Sequence, residues 1–375
     1  MRIINELKYI ADWKTKRKIV VFESDDWGSI RMSSKIAFEK LKLKGIDESN
    51  NHYNLYDALE SNDDIQELYN VLLKHKDISG RSPVFTSVSI VANPNFEKIK
   101  EDSFQKYYYE TYEDTLKRYP EHDKVLEFVK LGINERLFVP VFHGREHLNV
   151  NRWMNALQTG HATTLFAFNE QVTGVYSGCN NEFVPDFQAA FEIDDVSDLA
   201  FLENSVKEGL AIFEKTFGFR TTYFVPANGK MNNKLESTLC NEGIKFIYSD
   251  KFQNESLGHK KYKKHLRYLG NKNKHGQIYL TRNSVFEPSS FEFSSNTNWV
   301  EKCMFDIQKA FSWHTPAVIS THRVNYAGFL YKQNRENGLK NLDLLLYKML
   351  QRWPDIEFMT SEELGELIYT SKYGY

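Results

Sequence analysis

Short apolar runs alternate with helical patterns along most of the chain. Apolar runs that end in turn residues predict strands, and they occur at KIVVFES (18–24), VFTSVSIV (84–91), RLFVPVF (136–142), TTYFVP (221–226), KFIYS (245–249), QIYLTR (277–282), PAVIST (316–321) and IEFMT (356–360). Apolar residues spaced three and four apart predict helices over 3–13, 35–44, 65–76, 199–217, 232–241, 299–311 and 336–351.

Strands that alternate with helices imply parallel pairing through right-handed crossovers. About seven such units in one chain predict an α/β fold in which the parallel sheet closes as a (β/α) barrel rather than an open sheet. No linker rich in Pro or Gly divides the sequence, so we expect a single domain over 1–375 with helical and loop insertions. The two insertions are predicted at 94–130 and 251–275, the second of them polar and basic.

Composition narrows the protein class. The chain has 375 residues, a formal net charge of −2 and 41% hydrophobic residues, which is typical of a globular protein and disfavours a general nucleic-acid binder. Its three cysteines are far apart and form no disulfide framework. No stretch approaches the roughly 18 apolar residues of a membrane span, and the charged N-terminus does not resemble a signal peptide. These features predict a cytoplasmic protein without a membrane span.

Polar residues follow several of the predicted strands. Asp25 and Asp26 follow the first strand, His143 and His147 the third, and His322 follows PAVIST. In barrels of parallel strands the active residues lie at the carboxyl ends of the strands. We therefore expect these side chains to share one end of the barrel. Adjacent carboxylates repel each other and are costly to bury, unless they are exposed in a turn, paired with a cation or used in catalysis.

The two histidines are four residues apart and could bind one metal ion. Two imidazoles and one carboxylate form a common ligand set for a catalytic divalent ion with an open position. The alternative is one capping and one surface histidine. The same segment, His143 to His147, also matches H-x-x-E-H, so a metallopeptidase with Glu146 as base stays open. Gly144 after the first histidine favours a strand-to-turn geometry over the helix that such a peptidase needs.

These segments together resemble a known family. An Asp pair in ESDDWGSIR, a histidine pair in FHGREHLNV, the Pro–Gly turn of FVPANG, a late strand-end histidine and the closing DIEFMTSEELGELI follow in the order found in the NodB-homology polysaccharide deacetylases, carbohydrate esterase family four. The chain looks like a divergent branch of that family. The resemblance implies a distorted (β/α) barrel, one divalent metal ion, and removal of an acetyl group, expected to be an N-acetyl, from a sugar or polysaccharide precursor.

The resemblance also implies roles for individual residues. Asp25 matches the catalytic base, His322 the catalytic acid, and Asp26, His143 and His147 the metal ligands. Residues expected to contact substrate are Trp27, Arg145, Pro226, Asn228, Gly229, Asp250 and Arg323. Zinc is the expected metal, with nickel, cobalt or iron as alternatives. The oligomeric state stays open.

One departure from the family pattern concerns an arginine. The family's groove turn begins with an Arg that holds the base, and Phe224 stands at that place here. Arg31, Arg145 or Arg323 are the candidates to replace it. The missing Arg and the basic insertion 251–275 keep a third interpretation open, a non-catalytic carbohydrate- or RNA-binding module on the same barrel.

Overall fold

The computed structural model describes residues 9–119, 121–291 and 297–374. Most of the predicted helix 3–13 lies outside the described residues, and residues 9–12 form turns. The strands are β1 (Lys18–Trp27), β2 (Phe85–Ile90), β3 (Ala92–Pro94), β4 (Tyr109–Thr111), β5 (Phe138–Gly144), β6 (Tyr223–Phe224), β7 (Phe246–Tyr248), β8 (Phe252–Ser256), β9 (Tyr262–Leu266), β10 (Ile278–Leu280), β11 (Ser284–Val285), β12 (Ala317–His322) and β13 (Ile356–Phe358).

Helices occupy most of the connections between the strands. They are α1 (Lys35–Leu43), α2 (His52–Tyr56), α3 (Asn62–Leu72), α4 (Phe96–Glu101), α5 (Tyr112–Lys117), α6 (Val125–Asn134), α7 (Val150–Gln158), α8 (Ala162–Asn169), α9 (Asp198–Phe217), α10 (Leu235–Asn241), α11 (Trp299–Ser312), α12 (Lys332–Arg352) and α13 (Ser361–Tyr373). Their positions match the predicted pattern of strands separated by helical crossovers.

Among the described residues, nine strands form one sheet in which every pairing of these strands is parallel. Their order is β10-β7-β6-β5-β2-β1-β12-β11, with β13 beside the start of β1. The predicted distorted (β/α) barrel is therefore confirmed. About seven strands were expected; the larger number includes β6 and β11, which are two residues long. The two ends of the sheet, β10 and β11, are joined directly by residues 281–283, which bridge the seam of the barrel.

Apolar residues of β1 alternate between two packed cores. Ile19 and Val21 pack inside the barrel with residues of the other strands, whereas Val20 and Phe22 pack against the surrounding helices. A strand covered on both faces has to be almost wholly apolar, which explains the continuous run in the sequence. The charged residues that interrupt the run therefore mark its carboxyl end, where the barrel opens.

Parts of the two predicted insertions form small units beside the barrel. In 94–130, β4 pairs antiparallel with β3, and in 251–275 β8 and β9 form an antiparallel hairpin. Within the described part of the chain, no helix is both long enough and apolar enough to cross a membrane.

Candidate active site

A cavity of about 260 Å³ opens at the carboxyl ends of the barrel strands. Nine of the twelve residues predicted for the site line it. They are Asp25, Asp26, His143, His147, Pro226, Asn228, Gly229, Asp250 and His322. The cavity therefore brings together residues that are separated by almost 300 positions in the sequence.

The backbone at Asp26 explains how two adjacent carboxylates can face one cavity. Consecutive residues of a regular strand point to opposite faces. Asp26 has φ +76°, and the register between β1 and β2 shifts between Ser24 and Trp27. This left-handed residue breaks the alternation, so both Asp25 and Asp26 line the cavity. A non-glycine residue in this conformation is strained, and such strain is concentrated at functional sites.

Gly28 completes the turn after Asp26. It has φ +85°, and a Cβ atom there would lie 2.7 Å from the carbonyl oxygen of Ile90. The carboxylate of Glu60 accepts the Gly28 N–H at 3.0 Å and also accepts a hydrogen bond from Arg323 at 2.7 Å. The buried ion pair of Glu60 and Arg323 therefore stabilises the turn through the Gly28 amide.

Asp26, His143 and His147 form a compact ligand set. Their potential ligand atoms all lie within 4.8 Å of one another, and all three residues are buried. Asp26 Oδ1 is 3.2 Å from His147 Nε2 and 3.6 Å from His143 Nε2. His143 Nδ1 lies 2.7 Å from the carbonyl oxygen of Val225, to which it donates its proton, so that Nε2 presents its lone pair to the site.

An unsatisfied atom of this set fits a metal ion. Among the described residues, the buried Nε2 of His143 has no hydrogen-bond partner. A buried polar atom without a partner is costly, and a bound cation would satisfy it. Burial raises the pKa of Asp26, but the two histidines outweigh burial and hold it well below its usual range. The anionic oxygen and two imidazole nitrogens are the donors that a catalytic zinc ion prefers.

An arginine that the sequence prediction missed holds Asp25. Arg282 donates from both Nη atoms to the two carboxylate oxygens of Asp25, each at 2.6 Å, and from Nε to Glu23 at 2.5 Å. Glu23 is buried and also accepts from the hydroxyls of Tyr223 (2.9 Å) and Ser361 (2.6 Å). Glu23 therefore fixes Arg282, and Arg282 fixes the plane of the Asp25 carboxylate.

His322 is held by a carboxylate on its far side. Its Nδ1 is 2.6 Å from Glu287, and its Nε2 is 3.8 Å from Asp25. Asn325 donates to the other oxygen of Glu287 at 2.6 Å. Burial lowers the pKa of His322, but the Glu287 carboxylate more than offsets this and, with Asp25 and Asp26, raises the pKa to about 10. The imidazole is therefore protonated at neutral pH, with Nε2 as a proton donor facing the cavity.

The predicted groove turn lines the same cavity. Asn228 has φ +55° and Gly229 φ +64°, so the backbone after Pro226 turns back sharply. The positive φ of Gly229 favours glycine, and a Cβ there would lie 2.8 Å from Asp250 Oδ2 and displace that carboxylate. The hydroxyl of Tyr248 donates to Asp250 Oδ1 at 2.7 Å. The turn and this Tyr–Asp pair form one wall of the cavity.

Trp27 does not reach the cavity, contrary to its predicted substrate contact. Its ring is buried in the core, edge-on to Phe138 with 4.8 Å between the ring centroids. Its Nε1 donates to Ser24 Oγ at 3.0 Å. The turn at Asp26 directs the next side chain inward, so proximity in sequence was misleading here.

Arg145 and Arg323 also lie away from the cavity. Arg145 donates to both oxygens of Glu146 (2.6 and 2.8 Å) and to Glu208. Arg323 is fully buried and donates to both oxygens of Asp57 (2.9 and 3.0 Å). Arg145 lies two residues after His143 and Arg323 directly after His322, but both pair with carboxylates that do not line the cavity. Neither replaces the Arg expected before the groove turn; Arg282 holds Asp25 instead.

Comparisons with solved structures find neighbours at very low sequence identity. A candidate glycoside hydrolase/deacetylase from Parabacteroides distasonis is 9% identical, with 96% of this chain and 73% of that chain covered and a TM-score of 0.53. The Puue allantoinase is 9% identical, with 97% and 94% covered and a TM-score of 0.50. A candidate polysaccharide deacetylase from Mycobacterium smegmatis is 10% identical, with 96% and 94% covered and a TM-score of 0.48. No family model and no curated protein matches the sequence.

The first two of these neighbours show the fold. Their names, a glycoside hydrolase/deacetylase and an allantoinase, also show that this fold is shared by proteins named for different activities. These two neighbours thus match the barrel architecture of this chain and nothing finer. The activity has to be argued from the residues of the cavity.

Proposed function

We propose that the protein is a metal-dependent hydrolase that removes an acetyl group, an N-acetyl group in particular, from a sugar or polysaccharide precursor. The observation that carries the proposal is the arrangement of three functional units in one cavity. These are the ligand set of Asp26, His143 and His147, the clamped carboxylate of Asp25, and the protonated imidazole of His322. Acyl hydrolysis needs an electrophilic centre, a base and an acid.

The residues divide the chemistry as follows. Asp26, His143 and His147 would hold the cation, which when bound polarises the acyl carbonyl and lowers the pKa of water. Asp25 takes a proton from the attacking water, because Arg282 keeps its carboxylate aimed at the cavity. His322 gives a proton to the leaving nitrogen as the C–N bond breaks, which leaves a free amine and acetate.

Zinc is the metal we propose first. A carboxylate oxygen and two imidazole nitrogens form a three-residue set of the kind that leaves a fourth position open for substrate or water. Nickel, cobalt and iron accept the same donors and remain alternatives. The free thiols of Cys179, Cys240 and Cys303 support a reducing compartment and hence a cytoplasmic precursor as substrate.

Two observations argue against the metallopeptidase interpretation, in which Glu146 would be the base. His143 lies in β5, Gly144 has φ +125°, and the segment is not helical. Glu146 forms a bidentate pair with Arg145 and does not line the cavity. The non-catalytic interpretation loses its main support, because Arg282 supplies the guanidinium whose absence at Phe224 had motivated it.

Two isosteric variants separate the enzyme mechanisms. Asp25→Asn removes the base but keeps the metal ligands, so acetate release from N-acetylated oligosaccharides should fall by about 10²-fold or more while metal content is unchanged. Glu146→Gln should keep activity within a few fold when measured well below its lowered melting temperature. Full activity in Asp25→Asn, or selective loss in Glu146→Gln, would contradict the proposal.

A further inference from the structure

Arg31 lines the cavity, is buried, and is held by uncharged groups. Its Nε donates to Asn54 Oδ1 at 2.9 Å, Nη1 donates to Gln188 Oε1, and Nη2 donates to the hydroxyl of Tyr176 at 3.1 Å. The guanidinium also lies over the rings of Tyr53 and Tyr176, 5.4 and 5.7 Å from their centroids. Aromatic faces stabilise a cation but do not neutralise its charge.

The other arginines that are equally buried each pair with a carboxylate. Arg145 pairs with Glu146, Arg323 with Asp57, and Arg335 with Asp64. Among the described residues, no carboxylate oxygen lies within 4.0 Å of the Arg31 guanidinium. Burial of an unpaired charge is costly. An arginine without an ion pair at a cavity wall therefore indicates that a ligand supplies the partner.

Neighbouring carboxylates do not supply the missing partner because each is engaged elsewhere. Asp26 lies between its two histidines, and Asp57 accepts both bonds from Arg323. Glu48 accepts from the amide of Asn54 (2.7 Å), which turns the Asn54 carbonyl oxygen towards Arg31. Asp26 and Asp57 stabilise the Arg31 cation from beyond contact distance, and no carboxylate among the described residues forms an ion pair with it.

Two N–H donors of the Arg31 guanidinium are available to a ligand. An arginine has five N–H donors, and three of those of Arg31 have partners among the described residues, which leaves two. The ring of Tyr53 contacts both Arg31 and His322, with 5.3 Å between the Tyr53 and His322 ring centroids. Tyr53 therefore links the proton donor His322 to Arg31, and all three residues line the same cavity as the metal ligand set.

We propose that Arg31 binds an anionic group of the substrate, a carboxylate or a phosphate, so that the protein acts on an acidic acylated sugar. The inference rests on the proposed function and specifies the substrate class of the same site. A uronic acid unit would supply the carboxylate, and a sugar phosphate would supply the phosphate. Either group accepts hydrogen bonds from a guanidinium in a fork geometry.

Calorimetric titration tests this without requiring hydrolysis. The full-length zinc-loaded protein is titrated with methyl glucuronide, glucose 1-phosphate and the neutral methyl glucoside. We expect one of the two anions to bind at least about tenfold tighter than the glucoside, and Arg31→Gln to abolish that difference. The anion that is preferred identifies the source of the charge.

A second variant excludes binding of the anion to the metal. His147→Ala disrupts the metal ligand set but leaves Arg31 in place, so the preference for the anion should persist. Equal binding of all three ligands by the wild type, a preference that survives Arg31→Gln, or its loss in His147→Ala would overturn the inference. Because no catalysis is involved, a protein that releases no acetate would still give a clear result.

A conservative variant covers the case in which Arg31→Gln does not fold. Arg31→Lys keeps the charge but not the fork, and should weaken anion binding roughly tenfold without changing glucoside binding. Unchanged anion binding in Arg31→Lys would overturn the inference.

Discussion

Replacement of Arg282 by Met should reduce both stability and activity, for separable reasons. The guanidinium makes two hydrogen bonds to Asp25 and one to Glu23, at 2.5 to 2.6 Å. In the Arg282→Met variant both carboxylates remain in the barrel without their cation. The hydroxyls of Tyr223 and Ser361 still donate to Glu23, but they carry no charge.

The size of the stability loss follows from this burial. Removal of one partner of a buried ion pair costs about 3–5 kcal/mol. With an unfolding entropy of about 2.1 cal/mol/K per residue, the 375 residues give about 0.8 kcal/mol per degree. The melting temperature of the Arg282→Met variant should therefore fall by about 4–6 °C.

The second variant separates the two effects. Glu23→Gln combined with Arg282→Met removes the stranded charge on residue 23, so about 2 kcal/mol of stability should return. Asp25 remains without its clamp in both variants. Hydrolysis of 4-nitrophenyl acetate, which needs no recognition of a sugar, should stay at least about 10²-fold below wild type in both.

Two results would refute this reasoning. If Arg282→Met keeps activity within about threefold, Asp25 does not need the clamp and its role as base is wrong. If the double variant regains activity together with stability, the loss in the single variant reflects unfolding rather than the position of Asp25. Melting curves and rates are measured on the same samples, with His147→Ala giving the background rate.

Three further perturbations test other parts of the site. Glu287→Gln removes the carboxylate that raises the pKa of His322 to about 10. The His322 imidazole then deprotonates at lower pH, so the basic limb of the pH–rate profile should move to lower pH. An unmoved limb would contradict the assignment of His322 as the acid. Gly28→Ala places a Cβ 2.7 Å from Ile90 O at a positive φ. The free energy of unfolding should fall by about 1–3 kcal/mol, measured by thermal unfolding, and the variant should retain metal less well. Wild-type stability would show that the turn is not constrained. A chelator should lower the melting temperature, and zinc at 100 times its Kd should restore about 2.7 kcal/mol; equal melting curves with and without chelator would argue against a resident ion.

The sequence identified most of the cavity because strand ends carry positional information. Asp25, His143 and His322 each follow an apolar run, and parallel strands bring their carboxyl ends to one side of a barrel. The same rule could have identified Arg282, which lies two residues after the end of β10. Arg282 lies outside the groove turn and outside the Asp and His motifs, so the family pattern does not point to it.

Other features had no signal in the sequence. Glu287 lies in an irregular segment, and only the tertiary structure brings it to His322. Trp27 was misplaced because sequence patterns do not show the positive φ at Asp26 that reverses the direction of the next side chain. The sequence makes Arg31 a candidate partner for the base, whereas its three uncharged hydrogen-bond partners become apparent only in the folded chain.

The most direct test of the account is the metal content of the purified protein, measured by elemental mass spectrometry for the wild type beside His147→Ala. The account predicts about one divalent ion per wild-type chain and a marked loss in the variant, because one of three ligands is removed. Absence of metal from the wild type after incubation with zinc, nickel, cobalt and iron, or equal content in the variant, would contradict the central claim that Asp26, His143 and His147 form a metal centre.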